Sequence, residues 1–394
     1  MKKYNFDEVI PRHGTNSVKY DFRERVFGKE DVIPMWVADM DFRTPDFIMN
    51  AIRERTEHEI LGYTVRPESF YEAIINWNLR KHGWQIKKEW LSFSPGVVPA
   101  VNMAVMAFSQ PGDKIIIQPP VYHPFFHAIK NHDREVLENP LKLVNGRFTM
   151  DFDDLRNKID DKTRMILLSS PHNPGGTVWH KSELEELGKI CKENGITIIS
   201  DEIHADLILY DNKHTPLASI SQELADITVT TMAPSKTFNL AGLSTSYVIA
   251  SNPELLKQYN KALEKTHVWH GNIFGSVALQ AAYYHGSEWL EQLLDYVEAN
   301  IDFVDRFFKE NVPQVKVIIP EATYLVMLDF RELGLSNNEL KKLMIEKAGV
   351  GMNDGASFGE QGDGFQRMNV ACPKATVERA VNQIADAIKA KHDE

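Results

Sequence analysis

Short runs that are apolar almost throughout recur in the middle of this 394-residue chain, and they constrain its fold more than any other feature. They are KIIIQ at 114–118, RMILLSS at 164–170, ITIIS at 196–200 and ITVTTM at 227–232. Runs that do not alternate with polar residues are typical of strands buried on both faces. Because helical patterns separate them, they predict an α/β fold with a mostly parallel sheet flanked by helices.

Three pairs of residues resemble the capping patterns that begin helices: Thr44 with Pro45, Ser182 with Glu185, and Ser336 with Glu339. In the last two pairs a serine is followed three residues later by a glutamate, which is the capping-box pattern. In the first pair a threonine N-cap precedes a proline, which is favoured at the first helical position. We therefore expect helices to begin at these three places.

The character of the chain changes after about residue 286. The periodicity there predicts long amphipathic helices near 288–311, 336–348 and 375–391. Strand-like segments, VKVII and TYLVMLDF, lie between them. We therefore expect a large domain at 46–285 and a smaller α+β domain built from residues 1–45 and 286–394.

Composition excludes several classes of partner. The formal net charge is -11, so a nucleic-acid backbone or an anionic membrane surface would repel the chain. Cys191 and Cys372 lie far apart and lack CxxC spacing, so they indicate neither a disulfide framework nor a thiolate zinc site. With no apolar run after Lys2 and Lys3, we expect no export signal and a cytoplasmic enzyme that acts on a small molecule.

Polar side chains follow three of the four apolar runs directly. Asn173 follows the second run, Asp201 and His204 follow the third, and Lys236 follows the fourth. Ligands of open α/β sheets bind at the carboxyl ends of the strands, so we expect these side chains to share one site. The turn at 94–98 precedes another helix, predicted from about residue 99, whose free N–H groups suit an anion such as phosphate.

These residue types suit a pyridinium aldehyde that carries a phosphate. The Lys236 amine can condense with an aldehyde and later move protons at a substrate carbon. Asp201 can keep a pyridine nitrogen protonated, and Asn173 can donate a hydrogen bond to a phenolate oxygen. Tyr122 offers an aromatic face to the ring, although it also fits a structural role in the core.

Four motifs occur in the order typical of a known family: SPG at 94–96, NPGG at 173–176, DEIH at 201–204 and SKTFNLAG at 235–242. In this respect the chain resembles the pyridoxal-phosphate enzymes with the aspartate aminotransferase fold, which is fold type I. With WVADMDF at 36–42, the chain is most similar to the C–S lyases of the cystathionine β-lyase type. The resemblance implies a large cofactor-binding domain with a seven-stranded type of sheet, and pyridoxal 5'-phosphate as the cofactor.

The resemblance also implies a homodimer with shared active sites. Tyr63 would then reach the cofactor phosphate from the partner subunit, and Asn272 would lie near the same interface. Arg367 would bind the substrate's α-carboxylate with its planar fork. Further phosphate contacts would come from Gly96, Val97, Val98 and Ser235.

Two positions depart from the aminotransferases of this fold. His204 stands where they have a tyrosine, and Ser244 stands where they have an arginine. The first fits either a cofactor contact or a structural histidine. The second removes a cation from the phosphate site, and both favour a lyase over an ordinary aminotransferase.

His123 and His127 have helical spacing but lack a carboxylate pattern, so we expect no metal.

Taken together, these features predict β-elimination from cystathionine or a related cysteine S-conjugate. The products would be pyruvate, ammonia and a thiol, with Lys236 as the catalytic residue. Transamination uses the same lysine, aspartate and arginine, so it stays open as an alternative. A third possibility is a cofactor-binding regulatory or interaction protein with weak lyase activity.

Overall fold

A computed structural model describes residues 2–268 and 270–392 of the chain. Its strands, most of them short, are β1 (Ile33–Pro34), β2 (Leu91–Ser94), β3 (Lys114–Ile117), β4 (Glu135–Glu138), β5 (Lys142–Val144), β6 (Arg147–Thr149), β7 (Thr163–Ser169), β8 (Thr197–Asp201), β9 (Thr228–Met232), β10 (Ser246–Ile249), β11 (Lys316–Ile318), β12 (Leu325–Asp329), β13 (Val350–Gly351), β14 (Asn353–Asp354) and β15 (Phe365–Asn369).

The helices lie before, between and after these strands. They are α1 (Val18–Asp21), α2 (Arg23–Phe27), α3 (Asp46–Thr56), α4 (Glu68–His82), α5 (Val97–Phe108), α6 (Pro124–Lys130), α7 (Phe152–Lys158), α8 (Lys181–Glu193), α9 (Gln222–Ala225), α10 (Pro234–Thr237), α11 (Pro253–Thr266), α12 (Ile273–His285), α13 (Ser287–Asn311), α14 (Asn337–Lys342) and α15 (Lys374–His392). Among the described residues, no helix combines the length and apolar character that crossing a bilayer requires.

The central sheet has seven strands in the order β2-β10-β9-β8-β7-β3-β4. All pairs between β9 and β4 are parallel, and β10 alone runs antiparallel to both of its neighbours. The four apolar runs of the sequence are β3, β7, β8 and β9 of this sheet. The predicted α/β fold with a mostly parallel sheet is therefore confirmed.

Successive side chains of each strand alternate between the two faces of this sheet, and both faces are covered. Ile115 and Ile117 pack into the apolar core that includes α5, α6 and α11. Ile116, between them, packs into a different core that includes α8. A strand with apolar contacts on both faces cannot alternate with polar residues, and this explains the continuous runs.

The C-terminal part contributes an antiparallel four-stranded sheet in the order β11-β12-β15-β14. The long helices α13 and α15 pack against each other and against this part of the core. The predicted helices near 288–311 and 375–391 are confirmed, and the one near 336–348 continues beyond α14 as a π-helical turn at Leu343–Lys347. The division into domains at 46–285 and at 1–45 with 286–394 stays a prediction.

The capping box predicted at Ser182 and Glu185 is wrong, because α8 begins one residue before Ser182. His180 is the N-cap, and the Glu183 side chain accepts a hydrogen bond from the His180 backbone N–H at 2.8 Å. Glu183 also binds the guanidinium of Arg147 at 2.8 Å, so a long-range ion pair fixes the carboxylate that caps the helix. A local pattern in the sequence does not contain that contact.

The prediction at Thr44 and Pro45 is also wrong by one position, since Pro45 itself is the N-cap of α3 and no side chain caps this helix. Proline has an extended ψ of 143° here, which precedes rather than begins the helix. The third pair is confirmed, because the Ser336 backbone N–H donates to Glu339 at 2.9 Å and the serine caps α14.

Candidate active site

A cavity of about 190 Å³ opens at the carboxyl ends of β7, β8 and β9. Most of the predicted site residues contribute to its wall. The lining includes Gly96, Val97, Val98, Tyr122, Asn173, Asp201, His204, Ser235 and Lys236, together with Ala38, Ser169, Ser244 and Thr245. Three separate strands therefore bring an amide, a carboxylate and an amine to one place, as the order of the sequence predicted.

Lys236 lies in the short helix α10, four residues after the end of β9. Its Nζ donates a hydrogen bond to the backbone oxygen of Ala38 at 2.7 Å. Burial, with a smaller contribution from the charge of Arg367, lowers the pKa of this amine to about 8. An amine with such a pKa is deprotonated far more often than an exposed lysine, and a nucleophile or base must be deprotonated.

Asp201 is the last residue of β8 and is only 5% exposed. One carboxylate oxygen accepts the Ile203 backbone N–H at 3.1 Å. Burial raises the pKa of this carboxyl group to about 7, although the hydrogen bond and the nearby Lys236 both oppose that rise. A carboxyl group with so little access to solvent favours a ligand that brings positive charge to it.

Arg367 lies in the middle of β15 and is 4% exposed. Its guanidinium donates to the side-chain oxygen of Asn173 at 2.8 Å, to that of Asn353 at 2.7 Å and to the backbone oxygen of Trp36 at 3.1 Å. It also lies 4.8 Å above the ring of Phe358. All of these partners are neutral, so they orient the guanidinium without balancing its charge.

The buried Nε of Arg367 has no hydrogen-bond partner within residues 2–268 and 270–392, and the ion pairs found there include none at Arg367. Burial lowers the pKa of this guanidinium to about 10, which still leaves it charged at neutral pH. A buried charge without a counter-ion is costly unless a ligand supplies one. The geometry therefore favours an anionic ligand group at this point.

The helix predicted from about residue 99 is α5, which begins two residues earlier at Val97, with Gly96 as its N-cap. The first N–H groups of a helix have no partner within the helix, and the positive end of the helix dipole faces the same direction. Gly96, Val97 and Val98 line the cavity at this end, and the hydroxyl-bearing Ser235 and Ser244 line it as well. This part of the wall can bind a phosphate through neutral donors.

Tyr122 and His204 also line the cavity. Burial raises the pKa of the Tyr122 hydroxyl, which keeps the ring neutral. His204 is 3% exposed, and its Nδ1 has no hydrogen-bond partner among the described residues. Burial also lowers the pKa of His204 well below its usual value, so the neutral imidazole has a donor or acceptor to offer a ligand.

Tyr63 does not reach the cavity of its own chain. Its side chain is 95% exposed, and its ring lies 5.3 Å from that of His270. Asn272 is the N-cap of α12, where its side-chain oxygen accepts the Gly275 N–H at 2.6 Å. The interface roles expected of these two residues therefore stay predictions.

Several residues that the structure places at the site were not predicted from the sequence. Ala38 lines the cavity, and Tyr324 donates a hydrogen bond from its hydroxyl to the Ala38 oxygen at 3.0 Å. Asn353 orients Arg367, as described above. The motif WVADMDF was a signal for Ala38, but nothing in the sequence shows that its backbone would meet Lys236. Asn353 and Tyr324 lack any local signal.

Comparison with known proteins gives a consistent result. The family described as "Aminotransferase class I and II" matches residues 30–384. "Cystathionine beta-lyase PatB" of Bacillus subtilis (strain 168) is 44% identical over 98% of this chain and 100% of that protein. Two crystal structures are also similar over nearly their whole length. Cystalysin from Treponema denticola, which contains pyridoxal 5'-phosphate, has a TM-score of 0.96 and 35% identity over 99% of this chain and 100% of that one. The PLP-bound C–S lyase from Staphylococcus hominis has a TM-score of 0.91 and 36% identity over 98% of both chains.

Proposed function

We propose, from the premise that this chain belongs to the aminotransferase class I and II family, that it is a pyridoxal-phosphate-dependent C–S β-lyase. Its substrates are L-cystathionine or related cysteine S-conjugates, and its products are pyruvate, ammonia and a thiol. The relatives named a cystathionine β-lyase and a C–S lyase support this reaction. The observation that carries the proposal is that Lys236, Asp201 and Asn173 line one small cavity, with Arg367 hydrogen-bonded to Asn173 behind its wall.

The donor set of the cavity fits pyridoxal phosphate at each of its groups. The neutral donors at the start of α5 suit the phosphate, and Asp201 suits a protonated ring nitrogen. The oxygen of Asn173 is taken by Arg367, so its NH₂ group is the end that can donate to the phenolate. The buried Nδ1 of His204, which has no partner in the described part of the chain, gains one if it contacts the cofactor.

When bound, pyridoxal phosphate supplies an aldehyde that captures the substrate amine and a cationic ring that accepts electrons as the α-proton leaves. Lys236 would hold the cofactor through its amine, which a substrate amine would free. Arg367 then binds the α-carboxylate, which fixes the position of the α-carbon. The freed amine of Lys236 removes the α-proton while Asp201 keeps the ring nitrogen protonated. The Cβ–S bond then breaks, so that sulfur leaves as a thiolate and a double bond forms between the α- and β-carbons. Water hydrolyses the released enamine to pyruvate and ammonia.

The test is a substrate panel assayed for pyruvate and thiol together. Purified protein loaded with pyridoxal phosphate is incubated with L-cystathionine and with S-ethyl-L-cysteine, without any 2-oxo acid. The proposal predicts that pyruvate and thiol form in equal amounts. Lys236→Ala should reduce the rate at least about a hundredfold, since it removes the proton-transfer group. Lys257→Ala changes a lysine that is 76% exposed, so it serves as the matched control.

Two other outcomes would contradict the proposal. Turnover that requires a 2-oxo acid and produces no thiol would make the protein an aminotransferase. Absence of turnover with both substrates, together with a protein partner whose binding does not depend on Lys236, would indicate a regulatory or interaction protein. The visible absorbance of the bound cofactor, measured in the same samples, shows whether loading occurred.

We further propose a homodimer in the cytoplasm, in which Tyr63 completes the phosphate site of the partner subunit. Tyr63 belongs to an exposed apolar segment with Ile60, Leu61 and Val65, whose exposed fractions are 71%, 62% and 90%. Apolar side chains so exposed in one segment are typical of an interaction surface. The fully buried, unpaired cysteines Cys191 and Cys372 fit a reducing compartment.

Sedimentation tests the dimer, and cofactor titration tests the role of Tyr63. The proposal predicts a species of twice the chain mass, and weaker cofactor binding in Tyr63→Phe without dissociation of the dimer. Tyr284→Phe is a suitable control, since Tyr284 is 40% exposed and lies outside this segment. A monomer with full activity would contradict the proposal.

A further inference from the structure

Residues 36–41 have no regular secondary structure, yet they supply backbone acceptors to two of the site's key side chains. We name this stretch the strap. The Ala38 oxygen accepts the Lys236 amine at 2.7 Å, and the Trp36 oxygen accepts the Arg367 guanidinium at 3.1 Å. The strap therefore contacts the free Lys236 amine and the Arg367 guanidinium directly.

Polar side chains from the rest of the chain hold the strap's backbone. The Asn369 amide donates to the oxygen of Val37 at 2.6 Å and to that of Asp39 at 2.7 Å. The side chain of Asn239 forms hydrogen bonds with both the N–H and the oxygen of Met40, at 2.9 and 2.8 Å. A segment without a helix or strand ladder needs such partners for its backbone groups.

A partly buried ion cluster holds the strap's two acidic side chains. Arg12 lies 2.6 Å from a carboxylate oxygen of Asp39 and 2.6 Å from one of Asp41. Lys19 lies 2.9 Å from the other oxygen of Asp41, and 3.7 Å from Asp39. Tyr20 donates to Asp41 at 3.0 Å. Two cations therefore balance two anions, and Lys19 and Asp41 are only 1% and 5% exposed.

A cluster of this kind is better suited to fixing geometry than to stabilising the fold. Removing charges from water costs about as much as their attraction returns, so apolar side chains in the same place often give equal stability. Apolar contacts have no preferred direction, whereas hydrogen-bonded ion pairs hold their partners in a defined orientation. The two acidic members of the cluster, Asp39 and Asp41, follow Ala38 in the strap. The two basic members, Arg12 and Lys19, come from the segment that precedes the strap in the chain.

We propose that Arg12, Lys19, Asp39 and Asp41 are positioning residues that fix the strap. In this role the cluster keeps the Ala38 oxygen ready to receive the Lys236 amine whenever that amine is released, and keeps the Trp36 oxygen on Arg367. The second part of the inference rests on the proposed lyase function, because it assigns Lys236 and Arg367 their roles there. The first part concerns the order of the strap, and it is independent of any activity.

The experiment compares the wild-type holoenzyme with Lys19→Met/Asp41→Asn. This double variant removes one charge of each sign and so leaves no unpaired ion. Tyr324→Phe is a second variant, which removes only the other hydrogen bond to the Ala38 oxygen. Glu8→Gln is the control, since it breaks an exposed ion pair with Arg43 that lies outside the strap. For each protein we would measure four properties: the hydrogen exchange of residues 36–41, the cofactor absorbance, Tm, and kcat and KM for S-ethyl-L-cysteine.

In the double variant we expect exchange in the strap to accelerate at least tenfold, and kcat/KM to fall ten- to a hundredfold, with cofactor absorbance retained. Tyr324→Phe should lower kcat in the same direction but by less, and Glu8→Gln should match the wild type. Unchanged exchange in the strap would overturn the inference. Faster exchange with kcat/KM within twofold of the wild type would support the first part and overturn the second. A loss of Tm together with loss of the cofactor would overturn both, because a purely structural cluster predicts it.

Failure of the proposed function looks different in the same experiment. If the wild type releases no thiol or pyruvate, the lyase proposal fails, while the exchange rates and the cofactor absorbance still decide whether the cluster fixes the strap.

Discussion

Replacing Arg367 tests the assignment of the substrate carboxylate most directly. The guanidinium is buried, is oriented by three neutral acceptors and has an unpartnered Nε. Two unit charges 4 Å apart attract by about 4 kcal/mol at an effective dielectric constant of roughly 20. Since 1.4 kcal/mol corresponds to a tenfold change, Arg367→Ala should lower kcat/KM by about a thousandfold. Arg367→Lys keeps the charge but loses the planar fork, so it should cost roughly ten- to a hundredfold.

Two probes that differ only in the carboxylate separate substrate binding from damage to the site. S-ethyl-L-cysteine is the substrate, and 2-(ethylthio)ethylamine, which is the same molecule without its carboxylate, is a competitive inhibitor. Arg367→Ala should raise the KM of the first and leave the Ki of the second within about threefold, because only the carboxylate loses its partner. Pyruvate release gives both constants, and cofactor absorbance and Tm report on the integrity of the site.

Arg331→Lys is the matched control for this prediction. Arg331 follows β12, which pairs with the strand of Arg367; its side chain is 55% exposed and has its own carboxylate partner, Asp329, at 2.7 Å. It should leave both constants unchanged. The reasoning would be refuted if Arg367→Ala weakened the substrate and the amine equally, since Arg367 would then shape the cavity rather than bind the carboxylate.

Three further results are expected. Asp201→Asn should retain the cofactor's absorbance but lower kcat by roughly a hundred- to a thousandfold, because the amide cannot stabilise a protonated ring nitrogen; an unchanged kcat would exclude this role. The pKa of Lys236 is lowered to about 8, so the neutral fraction of its amine rises about tenfold per pH unit below that value and then levels off. Stopped-flow absorbance should show the rate of cofactor uptake by the apoenzyme following that fraction, and a rate that is flat between pH 6 and 8 would contradict it. Gly176→Ala should lower the free energy of unfolding by roughly 2–4 kcal/mol in calorimetry, because a methyl group there would overlap Pro320 and Gly176 has a φ of +70°. Gly195→Ala has a similar φ of +64° but open space around it, so it should cost only about 1 kcal/mol, and equal losses would show that the overlap is relieved.

The parts of the fold that the sequence predicts are those that depend on local pattern. A strand with apolar neighbours on both faces requires a continuous apolar run, so β3, β7, β8 and β9 could be located from their residues alone. The parallel sheet then places the residues after each strand at one edge, which is why the sequence alone groups Asn173, Asp201 and Lys236. Locating the strands and grouping the residues that follow them both require no knowledge of which distant residues are in contact.

The parts that the sequence does not predict depend on the meeting of distant segments. The contact between Ala38 and Lys236 joins residues 198 positions apart, and that between Trp36 and Arg367 joins residues 331 positions apart. The same reason explains the shifted start of α8, where Arg147 selects which glutamate caps the helix. Side-chain periodicity carries no information on such pairs, since any arginine on a strand satisfies the local pattern equally well.

The opposite pKa shifts of Lys236 and Asp201 have one cause, and it connects the fold to the chemistry. Burial disfavours the charged form of each group, so it lowers the pKa of the amine and raises that of the acid, and both move towards neutral pH. A ligand that brings a cationic nitrogen to Asp201 restores the aspartate's charge, and an aldehyde consumes the neutral amine. The cavity is thus arranged for a ligand that carries both groups on one ring. Asp201 ends β8 and Lys236 follows β9, which pairs with β8, so the sheet brings the two groups to the same cavity.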